Sequence, residues 1–240
     1  APVLDDKHTE PAVIAVAEDG SAVVPLLGGH RGAVEMARDI AAALGVEAAL
    51  TTAGDVRFGT ALDAPPPGFR LANPADVKSF TADLLAGDKV RLDGAAPWLA
   101  ASDLPFDADG ALSIRVTDEA VAGDARTLIY HPATLAVGIG CERGVSAGEV
   151  TGLIGDTLAG AGLAAASVAA LVTIDLKRDE AAFHDAAAAF GTTLGFFPAT
   201  ALEAETPRLA NPSPAVFAAV GCHGVAEAAA LAAAGPDGVL

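Results

Sequence analysis

Tryptophan, tyrosine and methionine occur once each and cysteine twice among 240 residues. Aromatic residues make up only 5% of the chain, so its core has to be built from small side chains and close backbone approach. Two cysteines, Cys141 and Cys222, form no disulfide framework, and a reducing cytoplasm is the simplest compartment. Cations are also scarce. Lys and Arg number 14 against 31 Asp and Glu, a net charge of −17 and a pI near 4.4. That balance excludes nucleic acid and anionic membrane as partners. An anionic ligand would need the few cations, or helix N-termini, gathered in one place. The chain opens on Ala1 with no basic segment and no apolar segment behind it, so no signal peptide is expected; the missing initiator Met suggests a fragment or a processed chain. The one charge-free run, Thr157 to Ile174, approaches the roughly 18 residues of a membrane span. It is rich in Ala, Gly, Ser and Thr and is broken at Gly160 and Gly162, so it reads as helix end, connector and strand. A Walker lysine motif, H-E-x-x-H and C-x-x-C are all missing. Gly138, Gly140 and Gly144 are spaced one residue too long for the dinucleotide fingerprint. Nucleotide and nicotinamide chemistry is therefore poorly supported.

What remains is long enough for one or two domains with a core that needs no covalent staples. Hydrophobic residues make up 52%, much of it alanine. Pro11 to Ala17 and Ala22 to Leu27 read as strands around an Asp19-Gly20 turn. A helix from Ala33 to Leu44 follows, with Val34, Ala37, Ile40, Ala41 and Leu44 on one face, then a strand at Glu47 to Thr51. Asn73-Pro74 has the pattern of an N-cap and first helical residue. Between Lys89 and Tyr130 the alternation of Leu112, Ile114 and Val116, with turns at Asp93-Gly94 and Asp109-Gly110, suggests hairpins. From Leu135 the chain reads as α/β. Strands are expected at 135–139, 168–175 and 194–197, and helices at 147–161, 178–190, from the Asn211-Pro212 cap to 218, and 225–234.

The densest chemical signal is Leu135 to Val150 (LAVGIGCERGVSAGEV). An apolar stretch meets a glycine turn, and then a helix start where Ser146 and Glu149 have capping-box spacing. Such a junction offers free N–H groups and the positive end of a dipole to a carboxylate or phosphate; the plainer alternative is a tight turn that binds nothing. Cys141 and Cys222 each adjoin a glycine turn, and His223 follows Cys222. A thiol beside an imidazole could be activated, although small thiols buried beside glycines are the simpler reading. His30, between Gly29 and Arg31 at a helix start, suits acid–base work or hydrogen bonding to an acyl oxygen; a turn histidine with no special task is the alternative. In TIDLKRDE, Thr173 to Glu180, Lys177 and Arg178 suit ligand carboxylates and Asp175 could orient a water at a strand C-terminus. A cation pair at a helix start opposes the dipole, which favours function over a mere acidic first turn. His8, His131 and His184 lack such company, and His184 reads as a surface residue.

Taken in order, PLLGGHRG (25–32), LTTAGD (50–55), GIGCERGVS (138–146), TIDLKRDE (173–180), the FFP run from Phe196 and VGCHGV (220–225) resemble the cobalt-precorrin-5A hydrolase (CbiG-type) family of cobalamin biosynthesis. The part from about Thr134 also resembles the small CobE-type proteins. The resemblance implies an α/β protein with the later part of an N-terminal α/β domain (1–70), a β-rich middle linker region (71–132) and a C-terminal three-layer α/β domain (133–240). It implies hydrolytic opening of the δ-lactone of a cobalt corrinoid and release of acetaldehyde. Cobalt would arrive with the substrate, so no metal site or cofactor of the protein's own is expected, and corrin methyltransferases of the same pathway are the implied partners. Catalytic candidates are His30, Asp175 and His223. Substrate-binding candidates are Gly29, Arg31, Gly140, Cys141, Arg143, Gly144, Ser146, Lys177, Arg178 and Cys222, with Arg208 a further local positive. The glycine turns at Gly140 and Gly221 are expected to face one cleft, where Arg143, Lys177 and Arg178 converge and Arg31 and His30 approach from the first domain. Two other readings stand beside this one: a non-catalytic corrinoid-binding module, and a thiol-dependent acyl hydrolase of unrelated metabolites.

Overall fold

The computed structural model describes residues 11–28, 32–49 and 57–240. Gly29, His30 and Arg31, and the end of the strand expected at Glu47 to Thr51, lie outside the described residues. The chain divides into two compact units. The first comprises 1–67, 71–116 and 122–130, the second 68–70, 117–121 and 131–240, so the middle region is grouped mainly with the N-terminal residues.

In the first unit, β1 (Val13–Val16) and β2 (Val23–Leu27) form an antiparallel pair. Helix α1 (Ala33–Leu44) lays Ala37 and Ala41 against Val23. A further sheet, in the order β3-β6-β5-β4, is made by β3 (Phe69–Leu71), β4 (Val90–Asp93), β5 (Leu112–Val116) and β6 (Thr127–Pro132); Phe69 and Arg70 of β3 and the last two residues of β6 are grouped with the second unit. The hairpins expected here are not formed. β4 pairs with β5, and β5 with β6, in parallel. The connection from Gly94 to Ala111 explains this: it holds a short helix, α3 (Pro97–Ala100), and is long enough for a crossover, which a parallel pair requires. The run Leu128, Ile129, Tyr130 is buried residue after residue, as in a strand covered on both faces. Asn73 and Pro74 take the expected N-cap and first positions, of a turn of tighter helix, but the Asn73 side chain makes no cap bond. Its amide donates to the Thr127 carbonyl (2.9 Å) and its oxygen accepts from the Ile129 N–H (3.0 Å), and α2 (Val77–Ala86) starts only after a turn of tighter helix at Pro74–Asp76. The single tyrosine donates its hydroxyl to the Leu62 carbonyl (2.6 Å) and meets Trp98 edge to face.

The second unit is a three-layer α/β sandwich. Strands β7 (Leu135–Gly138), β8 (Val168–Ile174) and β9 (Thr193–Phe197) lie parallel in the order β7-β8-β9. Helices α4 (Ala147–Gly160) and α5 (Ala181–Ala189) connect them. Right-handed crossovers that advance in one direction put both helices on one face. There Val150, Ile154, Leu158, Phe183 and Ala186 pack on Val168 and Leu171. The opposite face, Val172 and Ile174, is covered by Leu202 of α6 (Ala199–Ala204) and by Ala228 and Ala229 of α8 (Ala226–Ala234). Helix α7 (Pro214–Val220) is capped by Ser213, whose hydroxyl accepts from the Val216 N–H, and not by Asn211. Asn211 instead donates its side-chain amide to Glu227 (2.7 Å), which also accepts the 210 and 211 backbone N–H groups.

The glycine turn after β7 now has a physical account. A methyl group at Gly138 would overlap the Ala226 carbonyl oxygen at the start of α8, and Gly144 takes φ +81, which side-chain-bearing residues avoid. Gly152, within α4, faces open space. Gly138→Ala is therefore expected to cost at least about 1–3 kcal/mol, as overpacking against an immobile backbone does, whereas Gly152→Ala should stabilise by about 0.5–1 kcal/mol through helix propensity. Urea denaturation of the two variants checks both signs.

Candidate active site

The parallel topology gathers the loops after β7, β8 and β9 at one edge of the sheet, where α/β proteins bind their ligands. The first loop is anchored to the middle strand. The Thr173 hydroxyl donates to the Ile139 carbonyl (2.7 Å), and the Ile139 N–H to the Val172 carbonyl (2.9 Å). The loop ends in the capping box expected at Ser146. The Ser146 hydroxyl accepts from the Glu149 N–H (3.2 Å), and the Glu149 carboxylate accepts from the Ser146 N–H (3.2 Å). Glu149 thus supplies an anion to the helix start itself, and the Ser146 hydroxyl holds its carboxyl below the usual range.

The loop after β8 is tied to the first by two carboxylates that the sequence reading passed over. Arg143 grips Asp179 with one nitrogen at 3.1 and 3.2 Å from the two oxygens and donates to the Leu176 carbonyl (2.9 Å). Glu180 accepts the Gly144 N–H (3.2 Å) with one oxygen and meets the Lys177 ammonium (3.5 Å) with the other. The Arg143–Asp179 pair is exposed, at 62% and 73% of the side-chain surface, so it adds little stability. The Lys177–Glu180 pair is 14% and 9% exposed, where loss of one partner would strand the other charge in a poorly solvated site. Helix α5 begins at Ala181, not at Arg178, after a turn of tighter helix at Asp175–Lys177. Lys177 and Arg178 therefore precede the helix and are not part of its first turn, which weakens the dipole argument for a ligand. The Arg178 guanidinium lies over the Phe196 ring, 4.5 Å from its centre, and the Arg178 carbonyl accepts a hydrogen bond from the exposed His184 (2.9 Å). Asp175 stands directly after β8, half-buried.

His223 lies in the short loop between α7 and α8, which reaches the same edge where Val225 packs beside Gly140. Its Nδ1 is 3.0 Å from both carboxylate oxygens of Glu203 on α6. Its backbone N–H donates to the same carboxylate (2.9 Å). Its ring stacks on Phe217 at 4.5 Å and 26°. Hydrogen bonding by His223 holds the Glu203 carboxyl below the ordinary glutamate range. Glu203 lies 20 residues from its partner, and no local pattern announces it. Arg208 is occupied elsewhere: it pairs with Glu205 (2.7 Å) and donates to the carbonyls of Gly235 and Gly238.

The two thiols do not share a cleft. Cys141 packs against the cluster under α4 and α5, while Cys222 is wholly buried in the cluster on the opposite face of the sheet. Small side chains beside glycines fill whichever layer is nearest, although Val225, after the second turn, packs beside Gly140 of the first. Burial raises both thiol pKa values, which keeps them protonated and weakens the thiol-hydrolase reading. Beside Cys141 an apolar cavity of about 230 Å³ opens between Val137, Val150, Leu153, Ile154 and Phe183. Among the described residues no group of three or more His, Cys, Asp or Glu is placed to hold a metal ion, and no helix is long and apolar enough to cross a membrane.

Known proteins align with this arrangement. The family model described as "Cobalamin synthesis G C-terminus" matches residues 135–240, and "Cobalamin synthesis G N-terminal" matches residues 1–55. The cobalt-precorrin-5A hydrolase of Priestia megaterium is 30% identical over 261 aligned positions, covering 99% of this chain and 69% of the relative. Protein CobE of a Sinorhizobium species is 47% identical over 108 positions, 45% of this chain and 70% of the relative. Among solved structures, a putative cobalamin biosynthesis protein G homolog from Sulfolobus solfataricus shares 21% identity, covering 98% of this chain and 70% of the other, with a TM-score of 0.33. The crystal structure of CobE shares 40% identity over 42% of this chain and 72% of the other, with a TM-score of 0.41. The molecule is thus a mixed α/β protein of cobalamin biosynthesis. It belongs to the cobalt-precorrin-5A hydrolase family.

The Glu203 carboxylate provides a direct check on the site geometry. Because its pKa is lowered in the folded state, its contribution to stability is present above the ordinary glutamate pKa and is lost as pH falls through the lowered value. In His223→Ala the Glu203 midpoint should return toward the ordinary range. Carbon-detected NMR titration reads this, and an unmoved midpoint contradicts the pairing.

Proposed function

We propose that this chain hydrolyses the δ-lactone of cobalt-precorrin-5A and releases acetaldehyde, giving cobalt-precorrin-5B. The observation that carries this reading is the 30% identity to a cobalt-precorrin-5A hydrolase across 99% of the chain. Water adds to the lactone carbonyl, and the acyl C–O bond breaks to leave a carboxylate and an alcohol. The alcohol loses its proton and becomes the carbonyl of acetaldehyde as the C–C bond to the macrocycle breaks. That electron pair stays on the ring carbon, which takes up a proton. The steps need a base for water and for the alcohol, and donors for the oxyanion. We assign the base to His223, and Asp175 to orienting the water. Arg178, Arg143, Lys177 and the amides that open α4 are the candidates for the carboxylates of the substrate, with Gly140, Gly144 and Ser146 shaping the loop. Arg143 and Lys177 already hold Asp179 and Glu180, so their first task is to fix the loops, and Arg178 is the better ligand. Cobalt enters as part of the substrate. We place the reaction in the cytoplasm, with corrin methyltransferases of the same pathway as the partners that supply and consume the corrinoid.

A second reading, a corrinoid-binding module without catalysis, rests on the likeness to Protein CobE, 47% identical over 108 positions and 45% of this chain. Anaerobic incubation with cobalt-precorrin-5A separates the two. The hydrolase releases one acetaldehyde per corrinoid consumed, and His223→Ala is expected to slow this by about 10²–10⁴-fold, the usual contribution of a general base. Tight binding with no acetaldehyde from the wild type would establish the module instead.

A further inference from the structure

The His223 imidazole is held more tightly than a surface histidine requires. The Glu203 carboxylate meets Nδ1 with both oxygens at 3.0 Å and takes the backbone N–H of the same residue at 2.9 Å. The Ser213 N–H donates to the His223 carbonyl at 2.7 Å, and Phe217 covers one ring face. Gly221, at φ +80, ends α7 just before it, and a methyl group at Gly224 would press on the Leu209 side chain at 3.0 Å. The loop is thereby fixed on both sides of the ring.

We infer that Glu203 is a positioning residue for catalysis: it fixes His223 in the tautomer with the proton on Nδ1, leaving the Nε2 lone pair to act as the base. A carboxylate is an acceptor only, so the ring nitrogen that faces it has to be the donor, and the other nitrogen of a neutral ring then carries the lone pair. Among the described residues no protein group bonds Nε2, and about 29% of the His223 side chain is exposed. Nε2 is thus the ring nitrogen that the inference gives to a water at the substrate carbonyl. As the proton moves onto Nε2, the imidazolium that forms sits against the Glu203 negative charge and is stabilised by it. The lowered Glu203 pKa agrees with this, because it keeps the carboxylate charged throughout. Phe217 adds a stacked face that stops the ring from rotating away.

The catalytic half of this inference rests on the hydrolase reading; the tautomer does not. Two measurements therefore keep the failures apart. Nitrogen-15 NMR of the neutral His223 ring should show Nδ1 protonated and Nε2 bare in the wild type, with the two tautomers mixed in Glu203→Ala. A wild-type ring protonated mainly on Nε2 overturns the inference whatever the enzyme does. In acetaldehyde-release assays, Glu203→Ala should lower kcat by about 10- to 100-fold with KM changed less than about twofold, and Glu203→Gln, which still accepts from Nδ1–H, should recover part of the loss. Glu203→Ala added to His223→Ala should cause no further loss, since the two act as one unit. An unchanged kcat in Glu203→Ala, or losses that multiply in the double variant, would show Glu203 to be only a latch on the loop. A wild type that releases no acetaldehyde refutes the hydrolase reading and with it the catalytic half, while the NMR result alone decides the tautomer.

Discussion

The backbone of Gly138 lies directly against the Ala226 carbonyl, and the placement of the candidate site depends on that approach. It seats α8 on the edge strand β7, with Ala228 and Ala229 wholly buried beneath the helix. With α8 so placed, Val225 meets Gly140 and the loop that carries His223 is brought to the strand ends. A core with few aromatic residues and much alanine makes this possible, because small side chains let helix and sheet backbones come close. A larger residue at 138 would move the helix, and with it the imidazole that the proposed chemistry uses.

Charge works locally and against the overall balance. A chain of net charge −17 has few cations near the sheet edge, and most already have acidic or backbone partners. Arg143 reaches from one loop to Asp179 in the next, Lys177 meets Glu180 within its own loop while Glu180 accepts the Gly144 N–H of the other, and Arg208 ties down the segment at Gly235 and Gly238. The buried Lys177–Glu180 pair matters more than the exposed Arg143–Asp179 pair, because solvent screens the second. Glu149 and Glu203 serve the same end by meeting donors at a helix start and on an imidazole. The acidic residues around the edge thus order its loops, and a polycarboxylate substrate meets Arg178 together with whatever donors those loops leave exposed.

Much of this was legible locally. The strands at 135–138 and 168–174, the capping box at Ser146 and Glu149, and the helices that follow are written in short-range pattern, and the structure has them. The Lys89 to Tyr130 region was misread as hairpins because a two-residue Asp-Gly turn looks alike whether it reverses a strand or begins a crossover. The consecutive burial of Leu128, Ile129 and Tyr130 carried the parallel signal. Asp179 and Glu180 sat in plain view inside TIDLKRDE but looked like first-turn acids, since their partners lie in another loop. Glu203 was out of reach, for nothing in ATALEA points to a histidine 20 residues on. The echo of Gly-Cys at 140–141 and 221–222 suggested a shared cleft, yet burial sends the two thiols to opposite layers. His30 and its neighbours lie outside the described residues.

The central claim is that the corrinoid is worked on at the C-terminal edge of β7, β8 and β9, beside His223. Cobalt marks its own position through anomalous scattering. Crystals of the His223→Ala variant soaked anaerobically with cobalt-precorrin-5A should show the cobalt peak at that edge, with the lactone turned toward the emptied His223 position and substrate carboxylates near Arg178. A peak at the opposite edge of the sheet, in the crevice lined by Arg70, Thr192 and Thr193, would contradict the account.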